Sequence, residues 1–172
     1  MASFACTAIM AADSSKGRLT QHLLVKVINE SPSTLALDSG NGLGQVVAHH
    51  AMSKCIEMAK QTGLAVATVR NSNHYGIAGY YAMMALAEDM IGISLTNSQP
   101  LVAPTFCLTP VLGTNPIAVA VPAGEEKPYV LDMATSIVSI GRITVYDKSG
   151  QLISKGWGIN AEEKLPSSLV KF

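Results

Sequence analysis

An excess of either charge is missing: Lys plus Arg number 12 and Asp plus Glu number 12, so the formal net charge is zero. Without a basic surplus there is no electrostatic footprint for nucleic acid. Charged residues are scarce altogether, at 14% against 48% hydrophobic, which excludes a disordered chain and points to a compact protein with surface to bury in an oligomer or against a partner. Cysteine is sparse and odd in number. Cys6, Cys55 and Cys107 form no CxxC pair and meet no histidine at metal-ligand spacing. Neither a disulfide framework nor a zinc site is therefore expected; three small buried thiols in a reducing compartment are. No apolar run approaches the length of a membrane-spanning helix. The first twelve residues lack the basic start of a signal peptide, and Ser3 and Thr7 break their apolar run. A cytoplasmic chain of about one domain, with no membrane partner, is the expectation.

What is present is an alternation of short apolar runs and amphipathic segments, separated by glycine. Phe4–Ala12 reads as a helical stretch, and Leu19–Ile28 as a second short element. Ser33–Asp38 alternates like a strand. A helix is expected from about Gln45 to Thr62, with Val47, Ala48, Ala51, Met52, Cys55, Met58 and Ala59 on one face and Gly63 as its C-terminal cap. Leu64–Val69 reads as a buried strand. Tyr80–Met90 reads as a helix packed by Met83, Met84 and Leu86 and ended by Gly92. Ile93–Asn97, Ile117–Val121 and Tyr129–Asp132 read as further strands, Pro104–Leu112 as a loop, and Ile137–Tyr146 as helix or strand. The alternation supports an α/β class.

Gly40, Gly42 and Gly44, between a strand and a helix, invite a dinucleotide-binding reading. The Rossmann fingerprint needs its third glycine three residues after the second, where Gln45 stands, and an acidic residue about 20 residues on at the end of a second strand. Glu57 lies inside the helix instead, so a tight turn is favoured over a phosphate loop. His49 and His50 are adjacent on that helix and diverge by roughly 100°. They cannot share a metal; one is expected at the core edge and the other in water.

Chemistry concentrates in Asn71–Gly79. His74 sits on a polar, glycine-punctuated turn between a strand and a helix, where reactive side chains are often displayed. An imidazole there suits a general acid/base. The competing reading, in which His74 only bonds the backbone of its own turn, carries equal weight on chemistry alone. Ser98 follows a strand and precedes Pro100, so it is either a ligand hydroxyl or a turn former. Pro116 biases Asn115 toward an extended shape. Asp132, Thr135 or Ser136 suits the cap of a following helix, or that helix start offers amides to an anion.

Three segments, Ser72-Asn-His-Tyr-Gly76, Leu112-Gly-Thr-Asn-Pro116 and Leu131-Asp-Met-Ala-Thr-Ser136, resemble in order and spacing the malate/L-lactate dehydrogenase family. These are the "type 2" NAD(P)-dependent enzymes that include ureidoglycolate and sulfolactate dehydrogenases and piperideine-2-carboxylate reductase. Similarity runs from about Glu30 to Asn160. The resemblance implies a mixed sheet with flanking helices forming a non-Rossmann nicotinamide-cofactor domain over residues 31–160. Residues 1–30 would be a diverged or incomplete N-terminal segment. Residues 161–172 would be a frayed end that lacks the family's C-terminal part. It implies a homodimer, and hydride transfer between NAD or NADP and a small 2-hydroxy or 2-oxo acid of the malate or lactate kind. His74 would be the catalytic acid/base; Ser98, Asp132, Met133 and Ala134 would bind cofactor; no metal is called for. Family members also carry a Ser-His-Gly segment with a nearby Arg for the substrate. This chain has no such tripeptide, so Arg18 and His22 take no role by motif, and neither does Arg70. Two alternatives follow: an inactive truncated fragment or paralogue acting as a folded or subunit-pairing module, and a reductase of a cyclic imino acid.

Overall fold

Short runs that alternate small or branched apolar residues with half-exposed ones build a single mixed sheet. The structure is a computed structural model that describes residues 5–12 and 25–159. Its strands are β1 (Ala5–Ala12), β2 (Lys26–Glu30), β3 (Thr34–Asp38), β4 (Leu64–Ser72), β5 (Ile91–Thr96), β6 (Ile117–Val121) and β7 (Tyr129–Met133). Their order across the sheet is β2-β3-β4-β1-β5-β6-β7. β3, β4, β1 and β5 run parallel, while β2, β6 and β7 join antiparallel at the two sides. The mixed, non-Rossmann α/β class implied by the resemblance is the one observed.

The stretch expected to be helical at Phe4–Ala12 is instead the central strand. β1 pairs Ala5–Met10 with both Leu64–Val69 and Ile91–Thr96. A short, mostly apolar run fits a buried strand and a buried helix equally, and here the partners on both sides decide. Of the element expected at Leu19–Ile28, Lys26–Glu30 is strand β2. Residues 13–24, with Arg18 and His22, and residues 160–172 lie outside the described residues, as does the Cys6 side chain.

Helix α1 (Gly44–Thr62) packs Val47, Ala48, Ala51, Met52, Cys55, Ile56 and Ala59 onto the sheet, with Met58 half-buried beside them. Beneath it lie Leu35 and Leu37 of β3 and Ala65, Ala67 and Val69 of β4. Gly63 closes the helix in the left-handed region (φ 83°), its N–H donating to the Ala59 carbonyl. Both His49 and His50 are exposed, against the expectation that one would reach the core edge. The buried stripe takes positions 47, 48, 51 and 52, which leaves 49 and 50 on the far side of the helix.

Helix α2 is shorter than expected, Ala78–Met84, and passes into a 3-10 turn at Ala85–Glu88. It is packed by Ala78, Gly79, Tyr81, Ala82 and Ala85; Met83 is exposed and Met84 and Leu86 only half-buried. Small residues let this helix sit close to the sheet. Gly92, expected to end the helix, lies within β5, where an added Cβ would come 2.0 Å from the Ala82 carbonyl oxygen.

The chain divides into two units, one of Met1–Ser98 and Pro116–Met133, the other of Gln99–Asn115 and Ala134–Phe172. In the second, a Val102–Leu112 bridge closes the 99–115 loop. Asn115 is not extended but at φ 32°, a region asparagine tolerates better than most residues despite the following proline. Helix α3 (Ile140–Lys148) resolves the helix-or-strand ambiguity over 137–146. Its cap is Ser139, whose Oγ accepts from the Arg142 N–H at 3.3 Å, and not Asp132, Thr135 or Ser136. Trp157 meets the Tyr146 ring edge-on at 5.4 Å and lies 5.4 Å under the Arg142 guanidinium. Cys55 is buried as expected, whereas Cys107 is half-exposed on the loop, its thiol against the Thr109 carbonyl.

Candidate active site

The carboxyl ends of the parallel strands share one edge of the sheet, the edge at which open α/β sheets bind ligands. β3 ends at Asp38, β4 at Ser72 and β5 at Thr96; Leu95, Ile117 and Met133 form one cross-strand row there. The His74 turn therefore leaves the same edge as Ser98 and the end of β7. β7 is the last strand, so its outer edge has no strand partner among the described residues.

Two loops at this edge are stitched together. The Asp38 carboxylate accepts from the Gly40 N–H at 2.9 Å, from Asn71 Nδ2 at 2.9 and 3.1 Å, and from Arg70 Nε at 2.9 Å. These bonds, that of Gly40 first and Asn71 next, hold its pKa below the ordinary carboxylate value. Asn73 Nδ2 donates to the Asn41 carbonyl and side-chain oxygens and to the Gly42 carbonyl, at 2.9–3.1 Å. Gly44, the first residue of α1, lies so close under the turn that a Cβ would come 2.1 Å from the Asn73 carbonyl oxygen and 2.7 Å from that of His74. The glycine-rich segment is thus a tight turn that seats the His74 loop, with Gly40 and Asn41 both at positive φ. The space a phosphate would need against Gly44 is filled by protein backbone.

Tyr75 pins the turn from below. It is 4% exposed, its hydroxyl lies 3.3 Å from Ser94 Oγ, and its ring stacks on Tyr81 at 5.0 Å. The Tyr81 hydroxyl donates to the Tyr75 carbonyl. Burial raises both phenols, that of Tyr81 to about 12, so both stay protonated.

Above this foundation His74 is exposed. Its Nδ1 accepts from the Gly76 N–H at 3.1 Å, the backbone contact weighed against a catalytic role; it leaves Nε2 for another partner. Ser98 is half-buried two residues beyond β5. Asp132 Oδ2 accepts from the Gly79 N–H at 2.9 Å and touches the position a Gly79 Cβ would take. This contact ties the end of β7 to the start of α2. Met133 is exposed, and Ala134 opens the second unit. Arg70 is committed to Asp38. Among the described residues no three His, Cys, Asp or Glu side chains converge as a metal site. A cleft of about 380 Å³ lies against Val25 and, on α1, against Val46, His49, His50 and Ser53.

Sequence reasoning missed Asp38, Asn73 and Gly44. Each acts through a partner about 30 residues away, and only the third-glycine mismatch hinted at their role.

Residues 5–167 match the model of the malate/L-lactate dehydrogenase family. The chain is 53% identical over 153 residues to a malate dehydrogenase of Pyrococcus abyssi, which covers 89% of this chain and 42% of the relative. It is 42% identical over 140 residues to an L-sulfolactate dehydrogenase of Methanocaldococcus jannaschii, covering 81% of this chain and 40% of that one. The crystal structure of malate dehydrogenase from Entamoeba histolytica superposes with a TM-score of 0.81 at 41% identity, over 87% of this chain and 41% of the other. The chain thus spans about two-fifths of the length of these relatives, and it belongs to the malate/L-lactate dehydrogenase family.

Proposed function

We propose that this chain is the proton-transfer and part of the cofactor-binding portion of an NAD(P)-dependent dehydrogenase of small 2-hydroxy acids. The observation that carries the reading is the convergence of His74, Ser98 and the end of β7 on one sheet edge, on a turn locked by Asn73 and Gly44. The residues fit a nicotinamide nucleotide: a half-buried hydroxyl at Ser98, a β7 edge with no strand partner among the described residues, and an Asp132 carboxylate oriented by the Gly79 N–H. When bound, that cofactor supplies or accepts the hydride.

The chain's own residues do the rest. His74 exchanges the proton of the substrate oxygen, as base in oxidation and acid in reduction. Ser98 and Asp132–Ala134 hold the cofactor against the edge. Asn73, Gly44 and Tyr75 fix the turn so that the imidazole is in place before substrate arrives. The names of the relatives, malate and L-sulfolactate dehydrogenases, support a 2-hydroxy acid over a cyclic imino acid. A homodimer in the cytoplasm using NAD or NADP goes with this reading, and the domain that carries it joins 31–160 with strands β1 and β2.

Titration of the purified chain with NADH and with NADPH, followed by Trp157 fluorescence and thermal melting, is the test. Saturable binding of either that raises the melting temperature is expected. Where malate or sulfolactate turnover is measurable, His74→Ala lowers kcat about 100-fold or more while leaving cofactor binding in place. Absence of binding by both cofactors would assign the chain to the alternative of an inactive fragment.

A further inference from the structure

The contact between His74 and its own turn specifies which form of the ring faces the edge. A backbone N–H can donate only to a lone pair, and a neutral imidazole has one, on whichever nitrogen lacks the proton. The Gly76 N–H points at Nδ1 from 3.1 Å. Gly76 is at φ +87°, a left-handed conformation that side chains resist, and the turn it makes returns its amide toward the ring. Around it the loop is held by the three Asn73 bonds, by Gly44 beneath the backbone and by buried Tyr75. Among the described residues no ion pair joins His74 to a carboxylate, the arrangement that would place the proton on Nδ1.

We propose that the Gly76 amide is a positioning group that holds neutral His74 with its proton on Nε2, so that the ring meets a substrate oxygen as a hydrogen-bond donor. The proposal rests on the reading that His74 faces that oxygen. Donation from Nε2–H stabilises the negative charge that gathers on a carbonyl oxygen as hydride arrives at its carbon. Accepting a proton on Nε2, as oxidation of a hydroxyl requires, needs a bare Nε2 in the neutral ring. The proton must then stand on Nδ1, where the Gly76 N–H now points. The resting ring is therefore a hydrogen-bond donor to the oxygen and not its proton source, since giving up that proton would leave an imidazolate; proton transfer in either direction runs through the imidazolium, whose Nδ1–H must first break the Gly76 contact.

The test is nitrogen-15 NMR of the histidine-labelled full chain at a pH where the rings are neutral, with exposed His49 and His50 as internal references. His74 is expected to favour Nε2–H over Nδ1–H by about fivefold more than the references do, the ratio one net hydrogen bond supports. Its Nδ1 resonance should carry the shift of a hydrogen-bonded lone pair. In Gly76→Ala an added Cβ meets nothing closer than Gln45 at 4.0 Å, but φ is strained; the amide turns away and the His74 ratio falls to that of the references. An Nδ1–H form, or a ratio equal to the references in the unaltered chain, overturns the proposal whether or not Gly76→Ala folds. Cofactor binding is read separately. Binding with the wrong tautomer sinks this inference alone, and the expected tautomer without binding sinks the function proposed above.

Discussion

Helices α1 and α3 are both amphipathic, yet α1 buries eight of its residues and α3 buries none. α1 lies on a sheet whose small and branched residues receive its stripe. α3 shows Ile140 and Val145 to solvent at 50% and 62% exposure, and takes its order from the Ser139 cap and the Trp157 contacts. The first unit thus holds the His74 turn with its own core, whereas the segment after Met133 is tied by local contacts. Amphipathic pattern marks where burial is possible; only a complementary surface makes it stabilise anything.

The sharpest way to break the contrast is Gly44→Ala. Its Cβ would meet carbonyl oxygen and carbon of the His74 turn at 2.1–2.8 Å, backbone that cannot rotate away. We expect a loss of about 3 kcal/mol or more, read as a fall in melting temperature. Asn73→Ala comes next. It leaves the Asn41 and Gly42 carbonyls without their side-chain donor and should cost about 1–3 kcal/mol, with faster amide exchange across 73–76.

A smaller effect follows from Asp38. Its pKa is lowered on folding, so its contribution is present above the ordinary value of 3.8 and is lost as pH falls below that, through the folded value. Acid titration of stability should show this limb, and Asp38→Asn should flatten it. Val145→Ala is the smallest: on an exposed face of α3 it should change stability by less than about 0.5 kcal/mol. A large loss there would mean that α3 buries this face.

Much of this architecture was legible beforehand, for a definite reason. The α1 stripe, the Gly63 cap and the strands at Ile117 and Tyr129 are local patterns, and local patterns survive into the fold. β1 is not legible in isolation because a mostly apolar run has no clear period; its identity depends on neighbours about 60 and 90 residues away. His49 and His50 were misjudged because adjacent polar residues can both fall outside a stripe. At the edge, His74 and Ser98 stood out by residue type and motif. The groups that seat them did not, since a glycine beneath a distant carbonyl and an asparagine bridging loops leave no mark in sequence. The cap of α3 is Ser139 because Asp132 lies within strand β7 and the Thr135 and Ser136 hydroxyls donate to the Thr114 and Val138 carbonyls.

The most direct measurement of the central claim is an amide NMR map of the chain with NADH added. We expect the resonances that move to be those of Gly76, Ser98 and Asp132–Ala134, at the carboxyl edge of the parallel strands, with the Asn73-locked turn intact. Perturbation confined to Val46, His49, His50 and Ser53, around the cleft on α1, would contradict it and move the binding site to the opposite side of that helix from the sheet.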